Sequence, residues 1–479
     1  MPQAPQLHQP SIFAPLRATA RTRVLALFFA ATWIVGVASL LFIPGVPHWF
    51  FYAFIAFTAA SLFFAQYPHL ALYGMAATYP FLYWQIIFGP INAPVVDVIG
   101  VFAVAGLAVR LLIFAMSDKA AFRATHWWGG GLFLAWVAVG IISATQTIVL
   151  PVTSSLYYVL RMMSFFYIAY IFFPMNTMRN SKTLHHILRI LLGVGVIVAI
   201  YGLYSFGVAL ANPNIPDRAI PVVIFGFAPL GINHNLIADM MVAIIPIGLY
   251  LLSQEKNPVI QRFFLLSISL MAMVNMLTFS RTGWLAFVLE MVLLVVFQYR
   301  HHIKRFFKYM VLTSLIAFPI IAYMLYFTFT SDIVRSSNQS RLFLNDIALQ
   351  MFEDHPFIGN GPNAFVYQLS YNKLYTLEYG EPIDAHGFIQ KVGSELGILG
   401  LLIYNALVIY AIFTAYRAYS RYAKNAQESY LLFCLFLLVC GSIFSQLFQT
   451  SYYSPKMWFP IGVALAAASL AKKKESLSI

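Results

Sequence analysis

The chain has 479 residues, 61% of them hydrophobic and only 9% charged, with a mean hydropathy of +0.78. A soluble domain carries about 25% charged residues, so this composition excludes a water-soluble globular enzyme and requires lipid to solvate much of the surface. The formal net charge of +13 would suggest nucleic-acid binding in a soluble chain, but here it reports an asymmetry between loops, and no nucleic-acid partner is expected.

In chain order, Arg17, Arg21 and Arg23 precede a long apolar run with no small-residue cleavage site, which predicts a retained first helix rather than a removed signal peptide. Apolar runs of about 20 residues match the thickness of the hydrocarbon. Fourteen are visible: 24–44, 47–66, 68–89, 94–116, 128–150, 155–174, 187–210, 233–252, 263–279, 283–299, 309–329, 388–412, 430–449 and 456–471. The second and third are nearly fused, and the ninth and tenth form a very tight hairpin. The expected fold is therefore all-α, a polytopic bundle of about 12–14 spans. With the N-terminus in the cytoplasm, 21 of the 29 basic residues fall on the cytoplasmic side. That bias predicts two cytoplasmic termini and an even number of spans. Cys434 and Cys440 share one apolar segment, and neither suggests a disulfide framework or a zinc site.

The external face is uneven. Most of its loops are a few residues long, but about 58 residues separate Thr330 from Gly387 and carry seven of the sixteen acidic residues. Loops beyond about 15 residues are usually functional or disordered. This one has a helical stretch from Arg341 to Glu353, then turn chemistry at His355-Pro356 and Gly359-Asn360-Gly361-Pro362. A folded cap on the membrane is expected. A shorter external segment, 212–232, is rich in Pro and Gly and holds Arg218; irregular backbone of this kind is tolerated beside a cavity.

Eight basic residues defy the positive-inside bias: Arg161, Arg218, Arg281, Arg335, Arg341, Lys373, Lys391 and Lys456. Arg281 sits in Ser280-Arg281-Thr282-Gly283, at the tip of the tight hairpin. Arg161 lies in the outer half of the sixth span, and Arg341 opens the helical part of the large loop. A guanidinium stays charged and forks onto phosphate oxygens. Several converging at the outer leaflet would cradle a lipid diphosphate; snorkelling or structural pairing is the competing explanation for each. His386, where the large loop enters the next helix, suits a general base kept neutral by nearby positive charge, or a packed residue at a helix start. His234 and Asp239 open the eighth span. Asp97, Arg110 and Glu290 are further ionisable groups in or near spans. Glu353-Asp354-His355 lacks diagnostic metal spacing, and no metal is expected.

Four stretches carry a resemblance. Arg341 with Asp354-His355-Pro356-Phe357-Ile358-Gly359-Asn360-Gly361-Pro362-Asn363-Ala364-Phe365, His386 through Gly400, Ser280-Arg281-Thr282-Gly283 and Asn235-Leu236-Ile237-Ala238 resemble, in order, signatures of the O-antigen ligase and polymerase superfamily. They cover roughly 220–405. The family usually has Asn, Ser or Gln after its histidine, where this chain has Gly387.

The resemblance implies a glycosyltransferase at the periplasmic face of the inner membrane. It would need no cofactor and no metal, and would use a lipid-linked glycan donor on undecaprenyl diphosphate and a glycolipid or glycan acceptor. It divides the chain into N-terminal transmembrane helices over 1–211 and a ligase/polymerase-like domain over 212–479, including the loop 330–387. His386 becomes the expected catalytic base. Arg218, Arg281, Arg341, Asn235, Arg161 and His234 become the expected substrate-binding or supporting set. Ligase-type transfer to lipid A–core is the first expectation and polymerisation the second. A transporter or flippase is the alternative of another class, but it would bind near the midplane.

Overall fold

In the computed structural model the described residues are 48–299, 332–449 and 453–476, apart from 89–90, 118–124, 213–217, 224–227, 232 and 424, together with scattered positions in 27–38 and 315–330. Helices dominate. After α1 (His48–Gln66) and α2 (Pro68–Thr78) comes a two-stranded antiparallel hairpin of β1 (Gln85–Phe88) and β2 (Ile91–Pro94), with Gln85 opposite Pro94. Then follow α3 (Val95–Ser117), α4 (Gly130–Gln146) and α5 (Val152–Thr177), the last wound partly as π-helix at Val159–Ser164 and Ile168–Phe172. Next are α6 (Ser181–Ala211), α7 (His234–Gln254), α8 (Pro258–Leu277) and α9 (Arg281–Gln298). The large loop holds α10 (Asp332–Asp354), α11 (Ala364–Ser370) and α12 (Lys373–Tyr379). The chain ends with α13 (Phe388–Arg417), α14 (Ala426–Gln446) and α15 (Pro455–Ser476).

Eight helices among the described residues are long and apolar enough to cross a bilayer, and nine if α1 and α2 form one broken span. The protein is thus an all-α, polytopic membrane protein. The predicted runs 24–44 and 309–329 lie largely outside the described residues. One expectation needs correction: 68–89 is not a straight span. Pro68 lacks the N–H that would continue the preceding helix, and α2 leaves α1 at 108° and stops after 11 residues, ahead of Pro80 and the hairpin. The tight hairpin predicted at the ninth and tenth spans is present, with only three residues between Leu277 and Arg281.

The main core runs through α7, α14 and α15, whose apolar side chains are buried on nearly every face, whereas α8 and α9 expose Leu265, Leu266, Leu285 and Val288. A helix that is apolar all round is either packed on all sides or faces lipid. The loop has a core of its own. Leu344, Ala348 and Met351, spaced four and three apart on α10, pack with Phe365, Leu369, Tyr375 and Ala385. The expected folded cap is therefore present, and its helix starts at Asp332, earlier than the sequence pattern suggests.

Candidate functional site

The site is built at one end of the bundle, where α8 turns into α9, α7 begins and α13 begins. At the α8–α9 tip, Ser280 caps α9 by accepting from Gly283 N at 3.2 Å, and Phe279 takes a positive φ of 53° to make the turn. Ser280 Oγ donates to Asn235 Oδ1 at 2.7 Å, both residues buried, which ties this tip to the first turn of α7. Arg281 therefore leaves the bundle beside His234, and its Nη2 donates to Asn338 Oδ1 of α10 at 3.0 Å. Arg218 is brought to the same tip by its neighbour: Ala219 N donates to Leu277 O at 2.7 Å.

Arg218, Arg281 and Arg341 all lie within electrostatic reach of His234. Arg281 acts on Arg341, and Arg341 acts on His386. The structure thus brings together five residues expected to share a site, with Asn235 beneath them as a support. The Nε atoms of Arg218 and Arg341 are buried without a hydrogen-bond partner. Burial holds both guanidiniums below their usual range, and Arg281 pushes Arg341 down further. His386 is lowered to about 4, chiefly by burial and then by Arg341, with Asp384 opposing. It is therefore a neutral imidazole at neutral pH.

Arg161 has other contacts. Its Nη2 donates to Asn92 O in the hairpin at 2.7 Å, its guanidinium lies 5.9 Å from the Tyr157 ring centroid, and Asp97 is within its electrostatic reach. Arg335 and Lys373 are exposed. The two buried lysines of the external set are both compensated. Lys391 pairs with Asp384 and, at 3.2 Å, with Glu395; Lys456 pairs with Asp239 at 2.5 Å and donates to Gln449 at 3.1 Å. By contrast, none of Arg218, Arg281 and Arg341 has a carboxylate within ion-pair distance among the described residues.

Sequence reasoning missed how the cap is held. α13 is broken at Gly397, where φ is 64° and ψ −163°. In a continuous helix Ser394 O and Glu395 O would accept from Ile398 N and Leu399 N. Here the cap loop takes over both sides of the break. Asn360 donates to Ser394 O from N (3.2 Å) and Nδ2 (2.9 Å), and Gly361 N donates to Glu395 O at 3.0 Å. Ile398 N and Leu399 N donate instead to Pro356 O (2.8 Å) and Phe357 O (3.2 Å). A Cβ on Gly359 would strike the Glu395 backbone, and one on Gly397 the Phe357 backbone. The available signal was two glycine-rich stretches about 40 residues apart, each of which alone reads as a turn.

Gly387 also has a steric cause. Its φ is 136°, and a Cβ there would lie 2.7 Å from Leu447 O and against the amide of Gln390. No side chain fits after His386 without moving α14's end; Gln390, one turn on, brings its own amide to that spot.

Residues 265–405 match the family model described as O-antigen ligase. No curated protein matches the chain. The matched stretch takes in Arg281, Arg341, the cap, His386 and the break in α13, and it follows Arg218, His234 and Asn235. That stretch is similar to the O-antigen ligase domain, and the match supports the O-antigen ligase and polymerase superfamily of membrane enzymes.

Proposed function

We propose that this protein is a ligase-type glycosyltransferase. It would move a glycan from undecaprenyl diphosphate to lipid A–core at the periplasmic face of the bacterial inner membrane, with both termini in the cytoplasm. The observation that carries the reading is the cluster of Arg218, Arg281 and Arg341 around His234, uncompensated by acid and adjoining His386 through Arg341. Three clustered cations repel one another, and an anionic ligand with several oxygens relieves that repulsion. A transporter would hold such charges near the midplane; these sit at the helix ends.

In the proposed reaction His386 takes the proton of the acceptor hydroxyl while its oxygen attacks the anomeric carbon. The bond from that carbon to the diphosphate oxygen breaks, and its electron pair leaves on the diphosphate. The guanidiniums stabilise the charge gained by the leaving group, and positioning two lipid-borne substrates over one leaflet supplies an entropic share. Asn235 supports the Arg281 turn, and His234 lines the anion site. Arg161 would act at a distance, through the hairpin. On this reading the arginines take the place of a metal, so transfer persists in excess chelator.

The deciding experiment is the glycan profile of a deletion strain. Lipid A–core with no attached glycan supports ligation. A single repeat attached to lipid A–core identifies a polymerase instead, and an unaltered profile rejects both.

A further inference from the structure

Behind His386 lies a second group of charges. Lys391 is fully buried on the first turn of α13, with its Nζ between two carboxylates, Asp384 of the loop and Glu395 one turn further along α13, and over the Tyr158 ring at 5.7 Å. Glu395 is also fully buried; its Oε1 accepts from Phe365 N of the cap at 3.3 Å, while its Oε2 has no hydrogen-bond partner. Asp384 is the solvent-facing member, with a side chain 24% exposed, and it stands two residues before His386 within electrostatic reach of it.

From this geometry we infer that Asp384 balances the charge of His386 during transfer, with Lys391 and Glu395 fixing Asp384 in place. The inference rests on the assignment of His386 as base. A base in this position faces two opposed demands. Before reaction it must be neutral, which burial and Arg341 ensure. After it takes the acceptor's proton it is an imidazolium beside Arg341, and a like charge there raises the barrier unless a negative charge offsets it. Asp384 supplies that charge through space, and no proton moves onto it. A carboxylate bound by a lysine of its own would be largely cancelled. Here one ammonium serves two carboxylates, so part of the Asp384 charge remains for His386. The same ammonium pulls the loop 380–387 onto α13, and Lys391 N closes it by donating to Gly387 O at 3.2 Å. Glu395 also joins the cap through its backbone O and its carboxylate, so the fit of the cap and the charge left beside the base depend on one residue.

The test uses the full chain in proteoliposomes, with an undecaprenyl diphosphate-linked glycan extracted from the producing strain as donor and lipid A–core as acceptor. Asp384→Asn is expected to lower kcat by about a hundredfold while leaving donor KM within about twofold, and Asp384→Glu to restore most of kcat. Glu395→Gln keeps the acceptor for Phe365 N but leaves Lys391 to Asp384 alone; it should lower kcat with the same unchanged KM, and it stands as the test if Asp384→Asn does not fold. Wild-type kcat in either variant overturns the inference, as does a parallel change of kcat and KM or no recovery in Asp384→Glu. His386→Ala in the same assay keeps the two readings apart: full activity there removes the base itself, whatever Asp384 does.

Discussion

At the scale of single residues, the proposed function rests on where positive charge is left uncompensated. Arg218, Arg281 and Arg341 were legible in the sequence because basic residues on the outer side run against the charge bias of a membrane protein. The silence of Lys391 and Lys456 was not legible. Lys456 meets Asp239 across 217 positions of sequence, and no local pattern reports a pairing that distant. Two expectations follow. Arg281→Ala should raise donor KM by about tenfold or more, consistent with loss of a charge-assisted contact of about 1.5–3 kcal/mol, and initial-rate kinetics will show it. The pH dependence has a definite sign. Burial and then Arg341 lower His386 to about 4, and the proposed base works as the neutral form, so activity should fall only as pH drops toward that value. Arg341→Gln removes a positive neighbour, raises the histidine toward its ordinary range and moves the acid limb of the pH–rate profile upward. An acid limb that stays in place would show that Arg341 does not act on His386.

At the scale of elements, and among the described residues, long apolar helices such as α3, α6, α7 and α14 were legible in the sequence, whereas breaks within apolar runs were not. The run 68–89 reads as continuous hydrophobicity, yet Pro68 and Pro80 divide it. The Gly397 break lies inside the hydrophobic run 388–412, where periodicity gives no warning because the carbonyls it frees are satisfied by a loop. That loop makes a strong prediction. Asn360 Nδ2 serves Met351 O (2.6 Å) and Ser394 O (2.9 Å). Asn360→Ala removes both of these bonds, at about 0.5–1.5 kcal/mol each, while Ser394 O keeps Asn360 N (3.2 Å) and Met351 O keeps His355 N (3.4 Å). Limited proteolysis of the cap should then occur faster, while the transmembrane core stays protected. Gly397→Ala should do the same more severely, since its backbone conformation disfavours a side chain and the added methyl meets the Phe357 backbone.

At the scale of the whole molecule, the end that carries the candidate site is assembled from parts distant in sequence. The cluster of Lys456, Asp239 and Gln449 ties the second turn of α7 and the first turn of α15 to the segment just past α14, below His234 and Asn235. Lys456→Met would strand a buried carboxylate, and breaking such a pair typically costs about 3–5 kcal/mol. The expected result is a lower melting temperature in detergent, with donor affinity reduced in proportion to the fraction folded. The interlock between the cap and α13 also bears on how such proteins can be recombined. Its two halves match atom by atom, backbone against backbone, so a foreign cap grafted between Thr330 and Gly387 would meet a helix shaped for another tenant. Chimeras designed to swap acceptor preference should keep residues 355–361 and 394–399 from a single parent; those that split them should be degraded before any glycan is transferred.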